Sequence, residues 1–468
     1  MIVMKFGGTS VGTGERIANV GHITAQVSKQ FGVPPVVVVS AMSGVTDSLV
    51  RAATTAASGD RHSFRAIRDE LQQKHEQAIA VCVSDPEHAR GLRAEMESLL
   101  NWFENLCQSI YTLGELTPRG LDVVSGLGER LSARVVAAAM RSQGLKANTV
   151  EATEIIVTDN HFGNAGPLFE ESTVKTRAKL LPLIQAGIVP VVTGFIGATV
   201  EGLPTTLGRG GSDYSATIIG RCLPADEVWI WTDVDGVMTA DPRIVPEART
   251  LPVISYAEVA ELSFFGAKVL HPKTIQPVAE LGIPVRVLNS FHPDHPGTLV
   301  RSEVSQEPLI KGITAIRNLS IVTVEGRGMQ GVPGVAGRVF SAVARSGASI
   351  FMITQSSSEQ NICFVVRSAE TPAVVREVEK EFELEMMRGD IDHVANQDQV
   401  AIIAVVGAGM KGKPGIASRV FGALADRQVS IISIAQGSSE YNLSLVVRQE
   451  DVDEGVRAIH RQFELDKI

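Results

Sequence analysis

Three segments of the sequence combine glycines with charged side chains, a combination that suits the binding of phosphate. The first segment, MKFGGTSVG (4–12), ends an apolar run and contains Lys5 and the adjacent glycines Gly7 and Gly8. Adjacent glycines leave backbone N–H groups open to an anion, and a helix that begins a few residues later would direct its positive end to the same place. The simpler interpretation of this segment alone is a glycine turn beside a solvated lysine.

The second segment, TLGRGGSDYSA (206–216), offers groups that suit a carboxylate or a phosphate. Arg209 has a planar guanidinium that matches a carboxylate, and the two glycines after it again expose backbone donors. Asp213 could orient Lys5 or another cation. It could also cap the helix predicted over YSATIIGRCL, and the two roles are compatible.

The third segment, WTDVDGVMTADPR (231–243), begins in a predicted strand. Ligands of open α/β sheets gather where strands end, which is where Thr232 and Asp233 lie. Arg243 adds positive charge. The aspartates of this segment lack the glycine and glutamate spacing of an EF-hand, so no metal site is predicted.

Three further segments each contain one or two polar side chains that could contact a ligand. FFGAKVLHP (264–272) contributes Lys268, while His271 precedes a proline at a predicted helix start and is interpreted as structural. SAMSGVTD follows a strand, so Ser40 and Thr46 could offer hydroxyl groups. SGLGERLSA places Glu129 at a predicted helix start, where glutamate is common, but its carboxylate could also receive a substrate ammonium.

The elements that must position these groups alternate between short apolar runs and helical stretches up to about residue 300. This pattern predicts an α/β fold with an open, mostly parallel sheet sandwiched by helices. Residues 48–116 are charged and rich in helix formers, and they are predicted to be a helical excursion from the sheet, broken by short stops such as Ser84-Asp85-Pro86. The predicted buried strands are IVMKF (2–6), PVVVVSA (35–41), VPVVTGF (189–195), EVWIWTDV (227–234) and PVRVLNS (284–290).

Beyond a predicted linker at 301–310, the chain repeats itself with an offset of 81 residues, as Gly328 and Gly409 or Asn361 and Asn442 illustrate. An ungapped match of this length indicates two copies of one module, each predicted to run strand, glycine-rich loop, helix, strand, turn, strand, helix. The second copy contains VGAGMKGK, which partly matches a P-loop and a dinucleotide fingerprint. Pro414 replaces the P-loop hydroxyl residue, and the next strand lacks the acidic residue for a ribose, so nucleotide binding is not predicted there.

The bulk composition narrows the class of protein. A length of 468 residues predicts about two to four domains, and 44% hydrophobic with 20% charged residues predicts a soluble globular chain. The net charge of −9 argues against nucleic acid or an anionic membrane as the main partner. No apolar run is long enough to span a membrane, and MIVMKFGG does not resemble a signal peptide. The widely spaced cysteines (Cys82, Cys107, Cys222, Cys363) predict neither disulfides nor zinc, and a cytoplasmic location is expected.

The segments KFGGTSVG, TTLGRGGSDYSA, WTDVDGV and FGAKVLHP together resemble the amino acid kinase family and, within it, the aspartate kinases. The two C-terminal copies, through GMQGVPGVAGRVFSAVARSGASI with QSSSEQNICF, resemble ACT domains, which are α+β, ferredoxin-like modules that bind amino acids at their interfaces. The resemblance covers essentially the whole chain. It implies a catalytic domain at 1–300 and ACT domains at 311–392 and 398–468.

The resemblance implies transfer of a phosphoryl group from ATP, with Mg²⁺, to the side-chain carboxylate of L-aspartate. The product, 4-phospho-L-aspartate, leads to lysine, methionine and threonine. The implied catalytic residues are Lys5 and Asp213. The implied aspartate contacts are Thr46, Glu129, Arg209 and Ser212. The implied ATP contacts are Lys5, Gly7, Gly8, Thr9, Ser40, Thr232, Asp233, Met238, Arg243 and Lys268, and Met238 departs from the tyrosine that related enzymes often have.

An amino-acid effector, lysine or threonine, is expected at the first ACT-like copy. The two ACT-like copies together are expected to form a homodimer or a larger assembly. The alternatives are no feedback at all, or modules that only dimerise. The expected contacts are Gly328, Met329, Gly331, Ile350, Ser357, Ser358 and Asn361.

Other members of the superfamily, acting on N-acetylglutamate, glutamate, carbamate or UMP, are the nearest rival enzymes. A rival of another class is an amino-acid sensor with an inactive kinase fold. The sequence ends after the second copy, so no homoserine dehydrogenase half is expected.

Overall fold

The computed structural model describes residues 1–267, 270–302, 304–305, 307–356, 360–437 and 439–468. They form two compact units. The first unit comprises Met1–Val237, Pro252–Tyr256 and Val269–Val304, and the second comprises Met238–Leu251, Ala257–Lys268 and Ser305–Ile468. No helix among the described residues is long and apolar enough to cross a membrane.

The elements up to residue 301 alternate between strands and helices, as the sequence predicts. In chain order they are β1 (Ile2–Phe6), α1 (Gly14–Phe31), β2 (Val36–Val39), α2 (Val45–Ala57), α3 (Ser63–Cys82), α4 (Pro86–Leu113), α5 (Pro118–Ser125), α6 (Leu127–Ser142), β3 (Ala147–Val150), β4 (Val157–Thr158), α7 (Phe169–Gln185), β5 (Val189–Thr193), β6 (Ile196–Thr199), β7 (Pro204–Thr206), α8 (Gly211–Cys222), β8 (Glu227–Thr232), β9 (Val253–Ser255), α9 (Tyr256–Phe264), α10 (Pro272–Ala279), β10 (Val285–Asn289) and β11 (Thr298–Arg301).

Among the described residues, the main sheet of the first unit has eight strands in the order β3-β5-β2-β1-β8-β10-β11-β9, of which only the β10–β11 pair is antiparallel. The chain moves from β1 to β2 on one side and later returns to pair β8 with β1 on the other side. This reversal makes the carboxyl end of β1 a switch point, the place where open α/β sheets bind ligands. The mostly parallel sheet confirms the predicted fold class.

The helical excursion is present as α2, α3 and α4, which pack on α1 and α6 over one apolar core. Asp85 caps α4, since its carboxylate accepts the N–H groups of Glu87 at 2.8 Å and His88 at 3.2 Å. Pro86 is the first residue of this helix, where a missing N–H has no cost. The short stop predicted between two helices is therefore confirmed.

The second unit contains the repeats, and their predicted element order is confirmed. The elements are β12 (Gly312–Glu325), α11 (Val335–Arg345), β13 (Met352–Gln355), β14 (Asn361–Arg367), α12 (Thr371–Glu381), α13 (Glu383–Arg388), β15 (His393–Val406), α14 (Ile416–Ala425), β16 (Ile431–Gln436), β17 (Asn442–Arg448) and α15 (Val452–Gln462).

These strands form one antiparallel sheet in the order β13-β14-β12-β15-β17-β16. The long strands β12 and β15 pair along their whole length, from Gly312 opposite Val406 to Glu325 opposite His393. The core of the second repeat therefore includes Ile313 from β12, while the core of the first includes Val394 from the start of β15. A strand of each repeat therefore contributes residues to the core of the other repeat.

The core of the second repeat also takes up chain from outside the repeats. Ala240, Val245 and Ala248 are buried in it, as is Leu465 near the C-terminus. The terminal residues FELDKI therefore pack with the second repeat, where Leu465 is buried and Phe463 is partly buried.

Candidate active site

The side chain of Lys5 lies at the carboxyl end of β1, where the switch point predicts a ligand. Its Nζ atom lies 2.5 Å from Asp213 Oδ1, and both side chains are mostly buried. The chain turns sharply after the strand, and Gly7 N donates to Trp231 O at 3.1 Å. A β-carbon at Gly8 would lie 3.0 Å from Ala41 O, so the loop packs closely because it lacks side chains.

Asp213 does not cap its helix, which corrects one of the two interpretations of this residue. Helix α8 begins at Gly211, and Gly210 occupies the cap position with φ 70° and no side-chain cap. Only glycine adopts this left-handed conformation without cost, and the helix begins two residues before Asp213. Asp213 therefore lies within the first turn and contacts Lys5.

Two serines connect the loop after β2 with the first turn of α8. Ser212 Oγ and Ser40 Oγ are 3.2 Å apart, and Ser40 N donates to Phe6 O at 3.1 Å. The structure thereby brings together residues from three segments of the sequence. Thr46 lies in the first turn of α2, and Thr9 follows the glycine pair; both are half-buried.

Glu129 is a buried carboxyl group in the first turn of α6, only 2% exposed. Its Oε1 accepts the N–H of Ala41 at 3.1 Å, whereas its Oε2 has no hydrogen-bond partner among the described residues. Burial raises the pKa of Glu129 to about 8, against the opposing effects of the Ala41 hydrogen bond and the Lys5 charge. At neutral pH the isolated group is mostly protonated, and a cation placed beside it would favour its ionised form.

Asp122 supports the loop that carries Arg209 and was not singled out from the sequence. It is 3% exposed, and its carboxylate accepts Thr206 Oγ1 at 2.7 Å, Thr206 N at 3.0 Å and Gly163 N at 2.9 Å. Arg209 itself is exposed, three residues after Thr206. No local pattern marks Asp122, because its partners lie 41 and 84 residues away in the sequence.

A second network that sequence reasoning missed joins the ends of β8 and β10. Ser290 N donates to Thr232 O at 2.9 Å, and Ser290 Oγ lies 2.8 Å from Ser10 Oγ. Thr232 Oγ1 donates to Asp233 Oδ1 at 3.2 Å, and Asp233 is exposed. These contacts fix the carboxyl end of β8 against the loop after β1.

Three predicted nucleotide contacts remain, and the two that the structure describes belong to the second unit. Met238 and Arg243 belong to the second unit, and Lys268 lies outside the described residues. Arg243 is exposed and forms a two-pronged pair with Asp241, with Nε–Oδ1 at 3.0 Å and Nη2–Oδ2 at 2.6 Å. A ligand that binds Arg243 would have to compete with this pair.

His271 has a structural role, as predicted. It occupies the cap position of α10, where its Nδ1 accepts the N–H of Lys273 at 3.3 Å. Burial, together with the charges of Arg209 and Lys273, lowers the pKa of His271. The neutral ring is the form that can accept this hydrogen bond.

Two of the predicted effector residues of the first repeat, Met329 and Gly331, line a cavity of ≈ 330 Å³ together with Gln355. Gly328 and Met329 form a tight turn after β12, while Ile350 and Asn361 are half-buried. The predicted contacts Ser357 and Ser358 lie outside the described residues. The part of the chain that the structure describes contains no cluster of three or more histidine, cysteine or acidic side chains that could hold a metal.

The chain matches the amino acid kinase family over residues 1–289 and ACT domains over residues 322–382 and 403–463. It is 38% identical over 474 residues to a chloroplastic bifunctional aspartokinase/homoserine dehydrogenase of Daucus carota, covering 99% of this chain and 51% of that protein. It is 33% identical over 478 residues to chloroplastic aspartokinase 1 of Arabidopsis thaliana, covering 98% and 80%. The chain spans about half the length of the bifunctional relatives.

Two solved structures of E. coli aspartokinase III resemble the whole chain. One is a complex with aspartate and ADP, with a TM-score of 0.82, 29% identity and 99% coverage of each chain. The other is a complex with lysine and aspartate, with a TM-score of 0.81, 29% identity and the same coverage.

Proposed function

The chain belongs to the amino acid kinase family and, within it, to the aspartokinases, and on that premise we propose that it phosphorylates the side-chain carboxylate of L-aspartate with ATP. The product is 4-phospho-L-aspartate, from which lysine, methionine and threonine are made. The observation that carries the proposal is the Lys5–Asp213 pair beside the glycine loop at the switch point of the sheet. We also propose that the protein is located in the cytoplasm.

The proposed reaction needs no general base. A side-chain carboxylate with a pKa near ~3.9 is ionised at neutral pH, so the attacking oxygen already carries its charge. The barrier lies in bringing two anions together and in the charge on the transferring phosphoryl oxygens. Lys5 offsets that charge, and Asp213 holds its ammonium in place.

The glycine loop suits a nucleotide because it exposes backbone donors beside a lysine. Mg²⁺ would arrive with the phosphates and neutralise part of their charge, as expected of an ion that usually binds through one or two carboxylates and substrate phosphates. Met238 offers no hydroxyl group to the nucleotide. The proposed ATP contacts are Lys5, Gly7, Gly8, Thr9, Ser40, Thr232, Asp233, Met238, Arg243 and Lys268.

The amino-acid substrate presents an ammonium and two carboxylates, and the proposed contacts match these groups. Glu129 has a buried oxygen without a hydrogen-bond partner among the described residues, which suits the ammonium. Arg209 suits the α-carboxylate, and Thr46 and Ser212 add hydroxyl groups. N-acetylglutamate, carbamate and UMP lack an ammonium group. The proposed contacts, which include a carboxylate for an ammonium, therefore favour a free amino acid as the substrate.

We further propose that the repeats at 311–392 and 398–468 regulate the catalytic domain at 1–300. The cavity beside Met329 and Gly331 supports an amino-acid effector, and the related aspartokinase III was solved with lysine. Lysine or threonine would contact Gly328, Met329, Gly331, Ile350, Ser357, Ser358 and Asn361. Pairing of the repeats between chains would give a homodimer or a larger assembly.

An ATP-dependent hydroxamate assay tests the proposal. Hydroxylamine traps an acyl phosphate, so the purified chain should form hydroxamate with aspartate and ATP, and far less with glutamate or N-acetylglutamate. Activity with another acceptor in place of aspartate would reassign the substrate. No activity with any acceptor would favour an amino-acid sensor. Adding lysine or threonine to the same assay tests the effector.

Arg209→Ala should raise the KM for aspartate about 10- to 100-fold while leaving kcat within a few-fold. The expected loss corresponds to one charge-assisted hydrogen bond, or about 1.5–3 kcal/mol. Steady-state kinetics measure both constants. The matched control is Arg141→Ala, since Arg141 lies at the far end of α6 and donates to Ala147 O. An unchanged KM for aspartate would remove Arg209 from the site.

Aspartate binding should release close to one proton per site at pH 7. With a pKa of about 8 for Glu129, the free carboxyl is mostly protonated, and pairing with the substrate ammonium ionises it. The expected release is ~0.9 proton at pH 7 and about half a proton at pH 8. Calorimetry in buffers of different ionisation enthalpy measures this number. Binding without proton release at pH 7 would contradict the assignment of Glu129 to the ammonium.

A further inference from the structure

The two repeats have matching loops, which allows one to be compared with the other atom by atom. After β12, Gly326 N donates to Gln360 O at 3.0 Å, and after β15, Gly407 N donates to Tyr441 O at 3.0 Å. Each pair is related by the offset of 81 residues. The next hydrogen bond in the two loops also matches: Met329 N donates to Gly326 O at 3.3 Å, and Met410 N donates to Gly407 O at 3.2 Å. Both glycines are equally crowded, because a β-carbon at Gly326 would lie 2.3 Å from Asp390 O and one at Gly407 would lie 2.2 Å from Leu309 O.

In the second repeat, two carboxylates of α9 (Tyr256–Phe264) accept hydrogen bonds, one from this loop and one from the first residue of β17. Glu258 Oε1 accepts the N–H of Ala408 at 2.8 Å, and Glu261 Oε2 accepts Asn442 Nδ2 at 3.1 Å. The two acids are three residues apart on the helix and so lie on one face. Both belong to the same compact unit as the repeat.

Glu258 is fully buried, and a positive charge lies near it. Lys311 is 3% exposed and donates to Glu307 O at 2.9 Å. Burial lowers the pKa of Lys311, and the negative charge of Glu258 opposes that shift. A buried carboxylate near a lysine, accepting a backbone N–H at the start of a tight turn, resembles a bound anionic ligand.

The counterparts in the first repeat are Arg327 N for Ala408 N and the Asn361 side chain for that of Asn442. Within the part of the chain that the structure describes, neither group has a hydrogen-bond partner. The N–H of Arg327 adjoins Gly328, and Asn361 is itself a proposed effector contact. Two other proposed contacts, Met329 and Gly331, line the cavity of the first repeat. The same donors are therefore taken by carboxylates in one repeat and have no described partner in the other.

We infer that the second repeat contains a carboxylate-binding position that the chain fills with its own Glu258 and Glu261, whereas the matching position of the first repeat binds a free amino acid. This inference rests on the effector role proposed above for the first repeat. Each chain would then bind one effector, not two.

Hydrogen exchange of the full chain tests the inference. In the double variant Glu258→Gln, Glu261→Gln, the amide of Ala408 should exchange about tenfold faster or more, because a neutral amide oxygen is a weaker acceptor than a carboxylate. Glu379→Gln, an exposed acid on α12, is the matched control and should leave this amide unchanged. Equal exchange of Ala408 in wild type and double variant would overturn the inference.

The variant Asn442→Ala removes the side-chain amide that donates to Glu261. It provides a second test of the inference if the double variant does not fold. It should also accelerate exchange in the loop 407–412, and an unchanged rate would overturn the inference. Unlike Glu258, Asn442 is only half-buried, so this variant should not disturb the core.

Ligand binding separates this inference from the effector proposal. Saturating lysine or threonine should protect the first loop, 326–331, and leave 407–412 unchanged, with one equivalent bound per chain. Protection of both loops with two equivalents would overturn the inference. If neither amino acid binds, the effector proposal fails, while the exchange of Ala408 in the variants still decides whether the carboxylates hold the second loop.

Discussion

Replacing Lys5 with alanine should lower kcat by about 10²–10³-fold while changing the KM for aspartate by no more than a few-fold. Removing one preorganised positive donor from a phosphoryl-transfer site has an effect of this size, because the charge it offsets develops chiefly in the transition state. The side chain lies at the switch point, 2.5 Å from Asp213, and is only 11% exposed. Solvent therefore cannot replace its charge efficiently.

The Lys5→Ala variant also leaves Asp213 without its cation in a mostly buried position, which destabilises the fold. The double variant Lys5→Ala, Asp213→Asn removes this uncompensated charge. It should recover much of the lost stability in thermal unfolding but none of the lost kcat. Lys29→Ala, at an exposed position of α1, is the control for loss of a lysine. A Lys5→Ala enzyme with wild-type kcat would exclude Lys5 from the chemistry.

Replacing Glu129 with glutamine should lower kcat/KM for aspartate by about 10²-fold or more and at the same time stabilise the fold. The loss of activity follows because a neutral amide cannot pair with the substrate ammonium inside a buried site. Glutamine keeps the size of the side chain and an oxygen that can accept the Ala41 N–H, so the surrounding structure should persist. Aspartate titrations in steady-state assays measure the effect.

The gain in stability follows from the raised pKa of Glu129. Below the unfolded value of 4.5, the group is protonated in both states and has no effect. As the pH rises toward 8, the unfolded chain ionises while the folded carboxyl stays protonated, so the free energy of unfolding falls progressively. At pH 7 this destabilisation is on the order of 3 kcal/mol, and glutamine removes it.

Thermal unfolding of both proteins across pH checks this prediction. The Glu129→Gln variant should have the higher Tm at pH 7 to 8, and the two Tm values should converge as the pH falls toward 4.5. Glu97→Gln, at an exposed position of α4, should show no such convergence with the wild type, because the effect belongs to the buried group. A constant Tm difference across this range would contradict the raised pKa.

Local patterns predicted most of the fold. The apolar runs 2–6, 189–195 and 284–290 became strands to within two residues, and the stop before Pro86 became a capped helix start. Strand and helix periodicity, caps and glycine turns depend on neighbouring residues, so they can be read directly from the chain. The 81-residue repeat likewise predicted two copies of one module, because two equal stretches of sequence favour the same local structure.

Local sequence patterns did not decide the role of a residue for which two roles were compatible with its neighbours. An aspartate before a helix normally predicts a cap, but Gly210 took that position and left Asp213 to pair with Lys5, 208 residues away. Asp122 gave no signal, because its support of the Arg209 loop depends on contacts across 84 residues. The residue types alone cannot rank such alternatives.

The sequence by itself determined the chemistry available to this protein: a lysine with paired glycines after the first strand, an arginine for a carboxylate, and two sensor-like repeats. Tertiary structure alone decided that Glu129 is buried with a raised pKa and that β12 and β15 pair between the repeats. It also decided that, among the described residues, Glu258 of α9 binds the loop of the second repeat and no carboxylate binds the matching N–H of the first. The physical reason is that burial, charge pairing and the filling of a loop are set by groups distant in the chain. Their energies depend on distance and solvent exclusion, which the fold creates.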